Sequence, residues 1–293
     1  MKIINFGERC DDPVTLCLGR YESLHRGHRA IIDTARDKAQ KSGSRVMLMT
    51  YDEGLCDRFG RLVLTFSERC EMARSLGVDL VLRIDFSEKF RNMSADEFLK
   101  ELDSTLDIKG ALCGYDFRFG KNRGGDIFTL KDFCDDIGAG FFPHEEVDYL
   151  GEKISTTRVK TAIKEGDLVK AGGMLGYDYF IVGTVEKGRG QGREMGFPTA
   201  NVTFPAERCV LPPAVYKSEI EVRGKRYKGI TNFGAAPTFG CDKTLVETHI
   251  KGFSENVYGE RIKVAFCSFL REIRHFSSAE ELKKQLEKDL REI

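Results

Sequence analysis

Between Gly183 and Asn201 the chain runs Gly-Thr-Val-Glu-Lys-Gly-Arg-Gly-Gln-Gly-Arg-Glu-Met-Gly-Phe-Pro-Thr-Ala-Asn. Glycines such as Gly188, Gly190, Gly192 and Gly196 let successive backbone N–H groups face an anion without interference from a Cβ. Lys187, Arg189 and Arg193 add charge suited to gathering a polyphosphate, and after Pro198 the side chains of Thr199 and Asn201 offer hard oxygen ligands for Mg²⁺. The same composition also describes an ordinary hairpin loop, so phosphate chemistry needs support from elsewhere in the chain.

Three further clusters supply it. Gly19-Arg20-Tyr21-Glu22-Ser23-Leu24-His25-Arg26-Gly27-His28 follows an apolar run, Val14 to Leu18, and precedes a helical pattern. Loop N–H groups and a helix N-terminus at the end of a parallel strand favour an anion, and His25 and His28 flanking Gly27 can donate to phosphate oxygens. Ser155-Thr156-Thr157-Arg158-Val159-Lys160 opens another helical pattern, with hydroxyls for its exposed N–H groups and two cations able to reach a triphosphate; plain helix capping would explain Ser155 equally well. Gly114-Tyr115-Asp116-Phe117-Arg118-Phe119-Gly120 ends a further strand with an aromatic and charged loop suited to a flat ring; the plainer alternative is a packed loop with Asp116 and Arg118 paired.

These clusters need elements to hold them. Apolar runs at Val14 to Leu18, Val46 to Thr50, Asp79 to Ile84 and Ala111 to Gly114 alternate with helical patterns, which predicts an α/β half built on a parallel sheet. Ile31, Ala35 and Ala39 recur at helical spacing before Gly43, and Ser94 with Glu97 forms a capping box ahead of Phe98 and Leu102. After Gly176 the runs Tyr179 to Val185, Val215 to Val222, Tyr227 to Phe233, Leu245 to Ile250 and Ile262 to Leu270 predict a small antiparallel barrel. A final helix starts near Ser278 and Glu281, and its Leu282, Leu286 and Leu290 are expected to pack on the barrel. The expected domains are 1–166 and 167–293.

Composition narrows the function classes. The 293 residues suit two domains. Lys+Arg and Asp+Glu are both 46, so no general attraction draws the chain to nucleic acid or to an anionic membrane. Nine cysteines without a Cys-x-x-Cys pair suggest neither a zinc site nor a disulfide framework. No segment approaches the ~20 apolar residues of a membrane span. The expectation is a cytoplasmic protein acting on small molecules, with no nucleic acid or membrane partner, as a monomer or weak homo-oligomer.

Together the clusters resemble the bacterial bifunctional riboflavin kinase/FAD synthetases. That family carries Gly-x-Phe-Asp-Gly-x-His-x-Gly-His, Gly-x-Asp-Phe-x-Phe-Gly and Ser-Ser-Thr-x-x-Arg stretches in a Rossmann-like nucleotidyltransferase domain, and a Pro-Thr-Ala-Asn signature in a kinase domain. Here His25, Gly27, His28, Asp116, Ser155, Thr157 and Pro198 to Asn201 match. Tyr21, Glu22 and Ser23 stand in place of Phe, Asp and Gly, Thr156 in place of the second serine, and Lys160 in place of the final arginine. Ser23 is expected to lose glycine's freedom and Lys160 to exchange a fork for a point charge.

The resemblance implies an FMN adenylyltransferase whose ATP and phosphate residues are Gly19, Tyr21, His25, Gly27, His28, Ser155, Thr157, Arg158 and Lys160, with Asp116 and Phe117 in the flavin and nucleotide cleft. It implies a riboflavin kinase that binds ATP and flavin through Gly183, Lys187, Gly190, Gly192, Gly196, Pro198, Thr199, Asn201 and Arg271. Mg²⁺ would sit on Thr199 and Asn201, and Glu247 would be the general base. Phe233 and Phe239 fall where they would shape the flavin pocket, although core packing is the commoner fate of a barrel phenylalanine. ATP, riboflavin, FMN and FAD are the implied substrates or products. The replaced positions keep open a kinase whose adenylyltransferase half is slow or degenerate.

Overall fold

The computed structural model describes residues 1–52, 60–188, 192, 196–235 and 244–293, and contacts divide the chain into two units, Met1–Thr156 and Thr157–Ile293. In the first unit the elements run β1 (Lys2–Asn5), β2 (Cys10–Cys17), α1 (Arg26–Ser42), β3 (Arg45–Asp52), α2 (Phe66–Ser75), β4 (Leu80–Asp85), α3 (Glu88–Asn92), α4 (Ala95–Thr105), β5 (Leu106–Gly114), α5 (Ile127–Asp136), β6 (Gly140–His144) and a hairpin of β7 (Asp148–Tyr149) and β8 (Glu152–Lys153). The first six strands form one parallel sheet in the order β1-β4-β3-β2-β5-β6.

Val14, Leu16, Met47, Met49, Leu80, Leu82 and Ala111 are buried together, as expected of strands covered on both faces. The chain leaves β2 for β3 on one side and later returns to β5 on the other. The carboxyl ends of β2 and β5 are therefore the point where the winding reverses, and open α/β sheets bind ligands in that crevice. Helix α1 covers the sheet with Ile31, Ile32, Ala35 and Ala39 and stops at Gly43, whose φ of 65° lies in the left-handed region. Ser94 and Glu97 form the expected reciprocal box, at 3.2 and 2.7 Å.

The second unit contains α6 (Thr156–Glu165), which starts at the last residue of the first, followed by α7 (Leu168–Leu175). Then come β9 (Tyr179–Thr184), β10 (Thr199–Thr203), β11 (Ala214–Val222), β12 (Lys225–Ala235), β13 (Thr244–Ile250), β14 (Arg261–Arg271) and α8 (Ala279–Arg291). The strands pair antiparallel in the order β10-β13-β12-β11-β14-β9. The sheet curls until its two edges meet. Glu186 N–H donates to the carbonyl of Asn201 at 2.8 Å, and a Cβ at Gly183 would overlap Val202 Cγ1. Val202, Tyr216, Ile220, Val246 and Phe266 are buried with a hydroxyl ladder in which Thr231 meets Ser218 at 2.7 Å and Thr248 at 2.9 Å. Phe233 belongs to this core, its ring 5.1 Å from that of Phe204, so the thought that it meets a flavin is corrected.

Candidate functional sites

A cleft of ≈ 370 Å³ lies at the reversal point of the parallel sheet, lined by Gly19, Tyr21, His25, Gly27, His28, Asp116, Phe117, Lys153, Ser155 and Thr156 among others. Its floor is the loop after β2. Tyr21 and Leu24 have φ of 51° and 42°, and a Cβ at Gly19 would stand 2.8 Å from the Tyr21 ring. Ser23 is not a left-handed position, so the expected loss of glycine's freedom there does not arise, and its hydroxyl lies 3.0 Å from that of Thr156. Two more of the departures, Tyr21 and Glu22, are buried. Glu22 is fully buried, accepts from Val63 N–H at 2.9 Å and meets Arg20 at 2.9 Å; the Tyr21 hydroxyl lies against the Cys17 thiol.

His25 caps α1: its Nδ1 accepts from His28 N–H at 3.3 Å, so the neutral ring carries its proton on Nε2. The His25 and His28 rings stack with centroids 3.7 Å apart. Burial pulls the His25 pKa down to about 4. Burial, followed by the charges of His25 and Arg69, pushes that of His28 well below its usual value. Both imidazoles are therefore neutral donors near pH 7, and His28 Nδ1 is buried without a hydrogen-bond partner. Positive charge comes from Lys153, a residue not anticipated, whose Nζ is 2.8 Å from Asp116 and 2.5 Å from Glu146. The hydrogen bond from Lys153 holds the Asp116 carboxyl below the usual range. Asp116 and Arg118 are not paired with each other; Arg118 lies 3.8 Å from Asp126. Thr157, Arg158 and Lys160 lie on α6 in the second unit.

A second cavity of ≈ 370 Å³ shares Tyr51 and Arg118 with this cleft and is walled by Phe86, Phe90, Phe98 and Phe119, with Arg91, Lys121 and Arg123 at hand. Tyr51 meets Phe86 edge-on at 5.3 Å, and Phe117 stacks on Phe119 at 5.5 Å. Its aromatics come from β3, the β4–α3 connection, α3, α4 and the loop after β5, and no local spacing announces them.

On the barrel, Thr199 and Asn201 begin β10 and alternate outward from the buried Ala200 and Val202. Glu247 on β13 is in register with Asn201 on one side and Asn232 on the other. Thr199 Oγ1 donates to Glu247 Oε1 at 2.9 Å. Thr199 is also common to two cavities. One, of ≈ 50 Å³, takes in Gly188, Pro198, Asn201 and the segment from Phe253 to Tyr258. The other, of ≈ 260 Å³, takes in Gly192, Asn232, Glu247, His249, Arg271, Ile273, Phe276, Leu282 and Leu286. A Cβ at Gly188 would overlap the Asn201 carboxamide, so a side chain there would displace it. His249 Nδ1 lies 2.9 Å from the Pro198 carbonyl.

Thr199 and Asn201 fit Mg²⁺ as neutral oxygen donors, because that ion keeps waters and substrate phosphates instead of demanding an all-protein cage. Among the described residues there is no cluster of three or more His, Cys, Asp or Glu placed for a metal. Arg189, Gly190 and Arg193, like Phe239, lie outside the described residues. Gly192 accepts from Phe197 N–H at 2.7 Å, Gly196 is left-handed at φ 84°, and Lys187 is exposed. Arg271 lines the larger cavity, and its guanidinium grips the buried Asp289 carboxylate at 2.9 and 2.8 Å.

Comparison with known proteins divides the chain in the same sense. The family described as FAD synthetase matches residues 8–158, and that described as riboflavin kinase matches residues 175–293. The bifunctional riboflavin kinase/FMN adenylyltransferase of Bacillus subtilis is 32% identical, the match covering 94% of this chain and 90% of the relative. The protein of that name from Escherichia coli K12 is 30% identical over 99% and 96%. A solved Streptococcus pneumoniae chain described as a macrolide-efflux protein superposes with a TM-score of 0.88 at 25% identity, covering 99% of this chain and 97% of the other. No described helix is long and apolar enough to cross a membrane.

Proposed function

The chain belongs to the bifunctional riboflavin kinase/FMN adenylyltransferase family, and we propose that its barrel phosphorylates riboflavin while its N-terminal cleft adenylylates FMN, each on the residues described above. The protein is a transferase that makes FMN and FAD from riboflavin and ATP. The residue assignments rest most on one observation: Thr199, common to two cavities of the barrel, hydrogen-bonds across adjacent strands to Glu247, which lines the larger one.

In the barrel, the nucleotide occupies the side of Gly188, Asn201 and Tyr258, and the flavin occupies the larger cavity. Glu247 takes the proton from the ribityl 5′-hydroxyl as that oxygen bonds to the γ-phosphorus, and the bond to ADP breaks. Glu247 is held for this by the Thr199 hydroxyl, which binds one carboxylate oxygen and leaves the other for the substrate. Thr199 and Asn201 would hold Mg²⁺, which when bound neutralises charge on the ATP phosphates.

In the N-terminal cleft, an FMN phosphate oxygen bonds to the α-phosphorus of ATP and pyrophosphate leaves. The nucleophile is already ionised, so no base is required, and the residues need only position and neutralise. Neutral His25 and His28 donate to phosphate oxygens from the start of α1, Lys153 supplies the cation, and the isoalloxazine lies among Tyr51, Phe86 and Phe119. A cytoplasmic location suits the seven free thiols among the described residues.

The test of the first half is direct. Purified protein given FMN and Mg·ATP, without riboflavin, is expected to form FAD and pyrophosphate in equal amounts. Absence of FAD across pH and metal conditions would leave a kinase with a degenerate partner domain.

A further inference from the structure

The stripe of α8 that faces the barrel is not uniformly apolar. Leu282 and Leu286 are only half-buried and line the larger cavity beside Glu247, whereas the deepest residue of the helix is a carboxylate, Asp289, 2% exposed. Asp289 is three positions on from Leu286 and seven from Leu282, so all share one face. Arg271, at the end of β14 and itself a wall of that cavity, grips both Asp289 oxygens, and Gln285 Nε2 adds a third hydrogen bond at 2.6 Å. Beyond this point Lys217 donates to the Glu292 carbonyl at 2.9 Å, and Lys251 to the carbonyls of Leu290 and Ile293 at 2.9 and 2.8 Å. Cations at the last carbonyls suit a helix C-terminus. The helix is thus tied down at its C-terminal end and presents its N-terminal half to the cavity.

We propose that Arg271 and Asp289 form a positioning pair that sets the seat of α8, so that Leu282 and Leu286 make the apolar wall of the riboflavin site; Arg271 does not contact ATP. A buried ion pair adds little net stability over an apolar packing, but it is satisfied in only one register, whereas a leucine stripe tolerates sliding. With Ile273 46% exposed and Phe276 beside it, the cavity wall offers apolar area for a ring to cover. Loss of the pair therefore weakens flavin binding and leaves nucleotide binding unchanged.

This rests on the kinase reading of the barrel. Full-length wild type, Asp289→Asn, Arg271→Lys, Arg271→Met and Leu286→Ala are compared by steady-state kinetics with riboflavin and ATP varied separately. FAD formation from FMN in the same preparations serves as a control on the other unit. Asp289→Asn, Arg271→Met and Leu286→Ala should each raise the KM for riboflavin about tenfold with the KM for ATP unchanged, and Arg271→Lys should recover part of the loss seen with Arg271→Met. A raised KM for ATP in Arg271→Lys, or a riboflavin KM unmoved in Leu286→Ala, overturns the proposal. If Asp289→Asn or Arg271→Met fails to fold, Leu286→Ala, which keeps the ion pair, and Arg271→Lys decide it. A wild type that phosphorylates no riboflavin would remove the kinase reading itself; an active wild type with silent variants removes only the positioning pair.

Discussion

His25 and His28 are neutral near pH 7, and the reason lies in where they sit. The His25 Nδ1 is occupied by the His28 N–H, its ring is buried against that of His28, and its pKa falls to about 4, below the usual ~6.5. Protonation is then penalised in the folded state. A base whose folded pKa is depressed contributes its full share of stability above the unfolded pKa, and that share is lost as pH falls from about 6.5 through 4. For His25 the loss is on the order of 3 kcal/mol at pH 4. Denaturant unfolding between pH 7 and pH 4 should show the N-terminal unit weakening over this window, and His25→Asn should flatten the slope. An unchanged slope would mean that the ring is not held neutral. Part of this geometry was legible: His25, Gly27 and His28 line one cleft, and Thr199, Asn201 and Glu247 stand on adjacent strands of the barrel. Lys153 was not legible, because a lysine in a two-residue strand has no pattern until the fold brings it to Asp116. The pairing of Arg271 was hidden for the complementary reason, its partner lying 18 residues away on the last helix.

Among the elements, the closure of the curled sheet is the most demanding step. Strands β9 and β10 approach so closely that Gly183 has no room for a side chain, and the contact aligns β10, which carries Thr199 and Asn201, beside β13. Gly183→Ala should cost about 1–3 kcal/mol of stability in the second unit through overpacking against Val202. Kinase activity should fall with it while FAD formation from FMN persists. A Gly183→Ala protein with wild-type thermal unfolding and kinase rate would show that the edges need not meet there. Elements with strong periodicity, such as α1 with its Gly43 stop, α4 with its capping box and β11, were readable from local pattern. Five strands were not: the two-residue β7 and β8, and three longer ones. β1 has four residues, β6 contains Gly140 and Pro143, and β10 begins at a proline-marked loop signature, so each is a strand because its neighbours supply the ladder.

At the scale of the whole molecule, the chain divides into two units, and the alternation of strand and helix followed by strand alone announced a division of that kind in the sequence. What stayed hidden was the aromatic cavity beside the first cleft, since five separate segments contribute to it. The account's central claim is that the two transfers run on separate residues. Product analysis with two single variants tests it most directly, each given Mg·ATP with riboflavin or with FMN. Glu247→Ala should leave riboflavin unconverted yet form FAD from FMN at the wild-type rate, and His28→Ala should convert riboflavin to FMN and accumulate it. FMN formation from riboflavin by Glu247→Ala, or undiminished FAD formation by His28→Ala, would contradict the account.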